Sequence, residues 1–216
     1  MINCYCISGL GADERVFQYL KFPSFIQPIY LPWLPPLQEE SIENYALRLG
    51  ALIDDSEPFY MLGLSMGGMI SVEIQKFKIP IKLILISSVT SARQLPAIYH
   101  FGQRFNLYKL LSPGILKNAS ILKKWFASYK KEHRALLIDV IKAGDDSFIK
   151  WALPAILRWQ NNELPKKYIH IHGTKDNVLP IANTNPTHVI TGGRHFMIME
   201  KADEISKIMS KEMENH

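Results

Sequence analysis

Through its first 90 residues the chain alternates short apolar runs with helical stretches, and that alternation restricts the fold more than any other feature. Ile2 to Ser8 reads as a strand, followed by a Gly9-Leu10-Gly11 turn and a short helix from about Ala12. Gln27 to Leu31 is a second strand, closed by a loop holding Pro32, Pro35 and Pro36. Ile42, Tyr45, Ala46, Leu49, Leu52 and Ile53 recur at helical spacing and predict one amphipathic helix. Phe59 to Leu62 is a short buried strand, a helix runs from Ser65 to about Phe77, and Ile81 to Ser87 is the next strand. Strands separated by helices indicate a parallel sheet with helices on its faces.

The pattern changes after residue 90. From Ser91 to about Pro165 the periodicity is helical and no convincing strand appears. Ala135, Leu136, Ile138 and Val140 form one apolar cluster; Phe148, Trp151, Ala152, Ala155 and Ile156 form another, with a kink expected at Pro154. The stretch carries 10 of the 23 aromatic residues and no methionine. Alternation returns with Tyr168 to His172 and Thr187 to Ile190, and a final helix over about Ala202 to Met213 turns Ile205, Ile208 and Met209 inward. One α/β domain, residues 1–90 and 166–216, is therefore interrupted by a helical insertion over 91–165. At 216 residues, 47% hydrophobic and 21% charged, the chain can fill one sizeable core and is neither disordered nor fibrous.

The net charge of +5 raises nucleic acid as a partner, but its distribution argues against one. Residues 91–165 hold 12 Lys/Arg against 5 Asp/Glu, interleaved with apolar positions as on solvated helix faces, and no nucleic-acid motif accompanies them. An anionic substrate or carrier thioester drawn by that charge stays open. No apolar run is long enough for a membrane span, and the opening MINCYCISGL has no basic segment or small-residue cleavage site. Cys4 and Cys6 lie two apart on one strand, poorly placed to bridge each other, and read as core residues. A reduced, cytoplasmic protein is the expectation.

The sharpest chemical signal is Gly63-Leu64-Ser65-Met66-Gly67 between a strand and a helix. A nucleophilic serine on that turn is exposed above the sheet edge, and glycines two residues either side are required because side chains there would clash. Gly68 eases close helix packing. A serine needs a base and the base an orienting acid. His195, in Gly192-Gly193-Arg194-His195-Phe196, and Asp176, in His172-Gly173-Thr174-Lys175-Asp176, each follow a strand, on the edge where parallel sheets carry their sites. No carboxylate follows the strand that ends at Ser87-Ser88, which favours Asp176 as the acid. His170 and His172 alternate on one strand without a third ligand at metal spacing; a buried face, with His172 near the site, is expected. Asp145 and Asp146 read as helix caps and Asp203 as the start of the last helix; His100 and His133 carry no signal.

GLSMGG, HGTKD and GGRH, in that order and at those places, resemble the nucleophile elbow, acid loop and histidine loop of the α/β-hydrolase superfamily. The likeness covers nearly the whole chain and places the helical stretch where that family carries a cap. It implies the α/β-hydrolase fold, a mostly parallel sheet with helices on both faces and an inserted helical cap, with Ser65 as nucleophile, His195 as general base and Asp176 as its orienting acid. It also implies an oxyanion hole from the backbone N–H groups of Leu10 and Met66, although Ser8-Gly9 stands where many relatives have His-Gly. Larger members add one or two strands ahead of the first one here.

The implied activity is a serine hydrolase that cleaves a small carboxylic ester or thioester through an acyl-enzyme, with no metal and no organic cofactor. A small-molecule acyl substrate is the expected partner, and oligomeric state is left open. C–C bond hydrolysis or a lyase reaction on the same three residues stands as an alternative, as does a ligand-binding protein on this scaffold.

Overall fold

The computed structural model describes residues 1–99 and 113–214. Six parallel strands form a single sheet in the order β2-β1-β3-β4-β5-β6. They are β1 (Ile2–Ile7), β2 (Ile26–Tyr30), β3 (Phe59–Leu64), β4 (Leu83–Ile86), β5 (Tyr168–Gly173) and β6 (His188–Ile190). The central strands β3 and β4 are buried at every position, which is why their sequences read as continuous apolar runs rather than alternating ones.

Strand alternation sorts the side chains into two cores. Cys4, Cys6, Leu62 and Leu64 pack with Phe17 and with the C-terminal helices α7 (Met197–Glu200) and α8 (Ala202–Glu214). Tyr5, Ile7, Met61 and Leu85 face the other way, against α1 (Ile42–Gly50) and α2 (Met66–Ile74). Cys4 and Cys6 are free thiols inside the first core. The expected 42–53 helix ends at Gly50: Ile53 remains buried in the following turn while Leu52 is turned out to solvent. Ser41 caps α1 by accepting from the Asn44 N–H.

Four helices lie in the described part of the chain between β4 and β5: α3 (Pro113–Leu116), α4 (Ala119–Trp125), α5 (Lys131–Ala143) and α6 (Asp146–Arg158). They divide between the two cores. Leu122, Leu137 and Val140 join the core of α7 and α8, and Phe148, Trp151, Ala152 and Ala155 join that of α1 and α2. The inward stripe of α5 differs from the expected one: His133, Leu137 and Val140 are buried, whereas Ala135 is exposed. Those positions are spaced i, i+4, i+7 and bring His133 edge-on against Tyr19, ring centroids 5.0 Å apart. Helix α6 continues through Pro154, whose missing N–H leaves the Lys150 carbonyl without its helical donor. Asp145 caps α6 by accepting from the Phe148 N–H, and Asp146 pairs with Lys117. His100 lies outside the described residues. No helix among the described residues is long and apolar enough to cross a membrane.

Candidate functional site

The C-terminal ends of β1, β3, β5 and β6 bring the singled-out residues together. Ser65 sits between β3 and α2 with φ 52° and ψ −119°, a left-handed conformation that costs an L-residue about 1–3 kcal/mol and persists only where its surroundings impose it. Those surroundings are tight. A Cβ on Gly63 would lie 2.5 Å from the Gly68 Cα, and one on Gly67 would run into the carbonyl oxygens of Ile7 and Ser8. Two hydrogen bonds pin the turn from β4: the Ser65 N–H donates to the Ile86 carbonyl (3.0 Å), and the Ser88 hydroxyl donates to the Ser65 carbonyl (2.7 Å).

His195 and Asp176 stand on two loops bonded to each other. The Lys175 N–H donates to the Gly193 carbonyl (2.8 Å), and Gly173 passes so close to Gly193 that a Cβ there would strike its carbonyl. Asp176 is 5% exposed. Its Oδ1 accepts from the N–H groups of Val178 and Leu179, each at 2.9 Å, and its Oδ2 meets His195 Nδ1 at 2.8 Å. Burial works to raise the Asp176 pKa, but the hydrogen bond and charge of His195 and the Leu179 N–H outweigh it and hold the carboxyl below its ordinary range. A carboxylate can only accept, so Nδ1 of His195 carries the proton. In the neutral ring the other nitrogen, Nε2, is bare and lies 2.9 Å from the Ser65 hydroxyl, placed to accept from it.

The turn after β1 runs alongside the serine: a Cβ on Gly9 would lie 3.3 Å from the Ser65 Cβ. That turn is closed by the Ala12 N–H donating to the Gly9 carbonyl (2.9 Å) and by the Ser8 hydroxyl donating to the Ala12 carbonyl (2.7 Å). Leu10 is half-buried within it. Met66 is the first residue of α2, where a backbone N–H has no partner inside the helix. Three residues here have no such role marked in the sequence, Ser88, Ser8 and Trp33 (which also bonds the Ala12 carbonyl), whereas His172 lies buried near the site as expected and comes within 3.5 Å of the acid. Serine or tryptophan in a loop has no periodicity or spacing signature; each acts through a backbone carbonyl that only folding brings within reach.

His170 and His172 are both fully buried on β5. Among the described residues no group of three or more His, Cys, Asp or Glu side chains is placed to hold a metal ion.

No family model matches the sequence, and no curated protein matches it. Solved structures do resemble the fold. A hydrolase from Pseudomonas aeruginosa superposes with a TM-score of 0.77 at 12% identity, covering 98% of this chain and 89% of the other. An esterase from Exiguobacterium antarcticum gives 0.74 at 14% identity, with 100% and 92% covered. An enol-lactonase from Burkholderia xenovorans gives 0.71 at 16% identity, with 99% and 92% covered.

Proposed function

This chain takes the α/β-hydrolase fold, and on that premise we propose that it is a serine hydrolase cleaving a small carboxylic ester or thioester. The observation that carries the reading is the unbroken relay from the Ser65 hydroxyl to His195 (2.9 Å) and on to Asp176 (2.8 Å), with the serine held on a strained turn. Ser65 Oγ attacks the acyl carbonyl carbon while its proton passes to His195 Nε2. Asp176 stabilises the imidazolium so formed and keeps the ring in the tautomer that leaves Nε2 free. The carbonyl oxygen takes up negative charge and is held by the N–H groups of Leu10 and Met66, one donor of which is typically worth about 2.7–4 kcal/mol in the transition state. The carbon–oxygen or carbon–sulfur bond then breaks, and the leaving group departs with the proton from His195. Water, deprotonated by His195, attacks the acyl-enzyme and releases the acid, returning the proton to Ser65.

In this reading residues 1–90 and 166–216 are the catalytic core, and the insertion over 91–165 is the cap that shapes the acyl pocket above the strand ends. A lactone is an internal ester, so the name of the enol-lactonase neighbour makes lactones an early choice for the substrate screen. Labelling with a fluorophosphonate probe, with the modified residue located by mass spectrometry, tests the proposal. Modification of Ser65, abolished by Ser65→Ala and strongly slowed by His195→Ala and Asp176→Ala, supports it. A folded protein that takes no label at Ser65 overturns it and moves a binding role ahead.

A further inference from the structure

Behind the acid lies a second pair of imidazoles that the relay itself does not use. His172 Nε2 is 2.7 Å from the Leu179 carbonyl oxygen and 3.5 Å from Asp176 Oδ2. His172 Nδ1 is 2.9 Å from His170 Nε2. The side chains of His172 and Asp176 have no exposed surface at all.

The proton positions follow from one end of this chain. A backbone carbonyl only accepts, so a ring nitrogen 2.7 Å from it must donate, and His172 carries its proton on Nε2. Its Nδ1 is then an acceptor, which requires His170 to donate from Nε2. His170 Nδ1 is left bare and buried with no hydrogen-bond partner. Burial first, and then the neighbouring His172, push His170 down to about 3, and burial likewise lowers His172. Both rings are neutral near pH 7, so the pair acts by hydrogen bonding and shape and not by charge.

The consequence lies in the loop that follows β5. Leu179 gives its N–H to Asp176 Oδ1 and its carbonyl to His172, so one residue is held from both sides. Without the imidazole that carbonyl would be buried without its donor, and the Leu179–Pro180 peptide that carries it would be free to turn, loosening the residue whose own N–H, on the preceding peptide, meets Asp176. The Leu179 N–H shares Oδ1 with that of Val178, so a shift of Leu179 turns the carboxylate plane and with it the direction of Oδ2 toward His195. We propose that His172, itself fixed by His170, is a positioning residue that sets the orientation of the Asp176 carboxylate by clamping the Leu179 carbonyl. The proposal rests on the serine hydrolase reading for its kinetic effect, but its geometry stands apart from turnover.

The test pairs His172→Phe, which fills the space and cannot donate, with His172→Gln, which keeps an N–H donor, and assays a p-nitrophenyl ester beside histidine ¹⁵N NMR. In His172→Phe, kcat falls about tenfold, the kinetic equivalent of one misplaced hydrogen bond, with KM little changed. His172→Gln recovers most of that loss. In the wild-type protein His170 and His172 are both neutral with the proton on Nε2. Wild-type kcat in folded His172→Phe overturns the proposal, and so does a proton on Nδ1 of His172. If His172→Phe does not fold, the wild-type tautomers and the activity of His172→Gln decide it: Nε2–H with retained activity supports the clamp, and loss of activity in folded His172→Gln opposes it. Absence of ester turnover in the wild type instead counts against the hydrolase reading. The Nδ1–H resonance of His195, displaced in His172→Phe and kept in His172→Gln, then decides the clamp on its own.

Discussion

The indole N–H of Trp33 donates to the Ala12 carbonyl oxygen at 2.7 Å, and the Ser8 hydroxyl donates to the same oxygen at the same distance. Ser8 leaves the end of β1, and Trp33 comes from the proline-rich loop after β2, so two loops lock the turn that carries Leu10. Because the donors share an acceptor, Ser8→Ala and Trp33→Phe are expected to be non-additive. Each alone leaves one donor and costs about 1 kcal/mol or less of stability, whereas the double variant orphans the carbonyl and shows a coupling of about 1 kcal/mol or more. Catalytically the double variant lowers kcat and leaves KM nearly unchanged, since the Leu10 N–H matters most when charge develops on the oxygen. Urea titrations and ester kinetics on the four proteins of the cycle check this, and strict additivity with wild-type kcat would contradict it.

Two kinds of glycine stand around the site and should respond differently to a methyl group. Gly67 has a negative φ, but its Cβ position is occupied by the backbone of Ile7 and Ser8. Gly192 has φ 72° with nothing within 4 Å of a built Cβ. Gly67→Ala must push two backbones apart and is expected to cost about 3 kcal/mol or more, while Gly192→Ala carries only the left-handed penalty of about 1–2 kcal/mol. Urea midpoints at pH 7 separate the two, and equal losses would show that close approach is not what demands glycine at 67.

The same contrast explains what could be read from residues alone. The Gly63–Gly67 spacing, the buried runs of β3 and β4 and the loop positions of Asp176 and His195 are local patterns with periods or motifs, and the fold and the relay follow from them. On α5 the apolar positions Leu136, Ile138 and Val140 do meet the core, but Ala135 faces solvent and the stripe is completed by His133, a polar residue that an apolar periodicity does not mark. Ser88 and Trp33 act on carbonyls 23 and 21 residues away in the chain, a distance no spacing rule spans, and His172, expected near the site, meets its carbonyl only through the course of the loop after β5.

Stability should fall as pH drops below the ordinary histidine range. His170 titrates near 3 in the folded protein against 6.5 for a free imidazole, so below pH 6.5 the unfolded chain binds a proton that the native state refuses. The contribution is fully present above 6.5 and is lost toward pH 3, at up to about 1.4 kcal/mol per pH unit for this group. His172, lowered in the same direction, adds to the slope. Asp176 acts in a separate window: its folded pKa lies below 3.8, so its contribution is present above that value and disappears as pH falls through the folded one. His170→Gln keeps a donor for His172 Nδ1 and removes that titration, so it is expected to reduce the slope of the stability curve between pH 6.5 and 3, leaving the share of His172 and, below 3.8, that of Asp176. Parallel curves for the two proteins would show that His170 is not buried in its neutral form.

Helix α6 is docked onto the core by a cluster of four aromatic rings. Trp151 stacks on Tyr45 (4.4 Å between centroids) and Phe148 lies 4.5 Å from Trp33. The Trp151 indole donates to the Glu40 carbonyl (2.7 Å), and the Tyr45 hydroxyl both accepts from the Leu34 N–H and donates to its carbonyl. The neck of the insertion is tied as well: the Ala92 N–H donates to the Asn161 carbonyl (2.7 Å), and the Asn161 amide donates back to the Thr90 carbonyl (3.1 Å). Helix α6, held this way, should not swing as a free lid, and its amides should exchange through near-global unfolding. Trp151→Phe loses one hydrogen bond, about 1 kcal/mol, whereas Trp151→Ala opens a core cavity at about 3–5 kcal/mol. In Trp151→Ala, hydrogen exchange across α6 should then accelerate well ahead of β3 and β4. If α6 exchanges rapidly in the wild type already, or Trp151→Ala matches it in urea, the aromatic cluster is not what holds the helix.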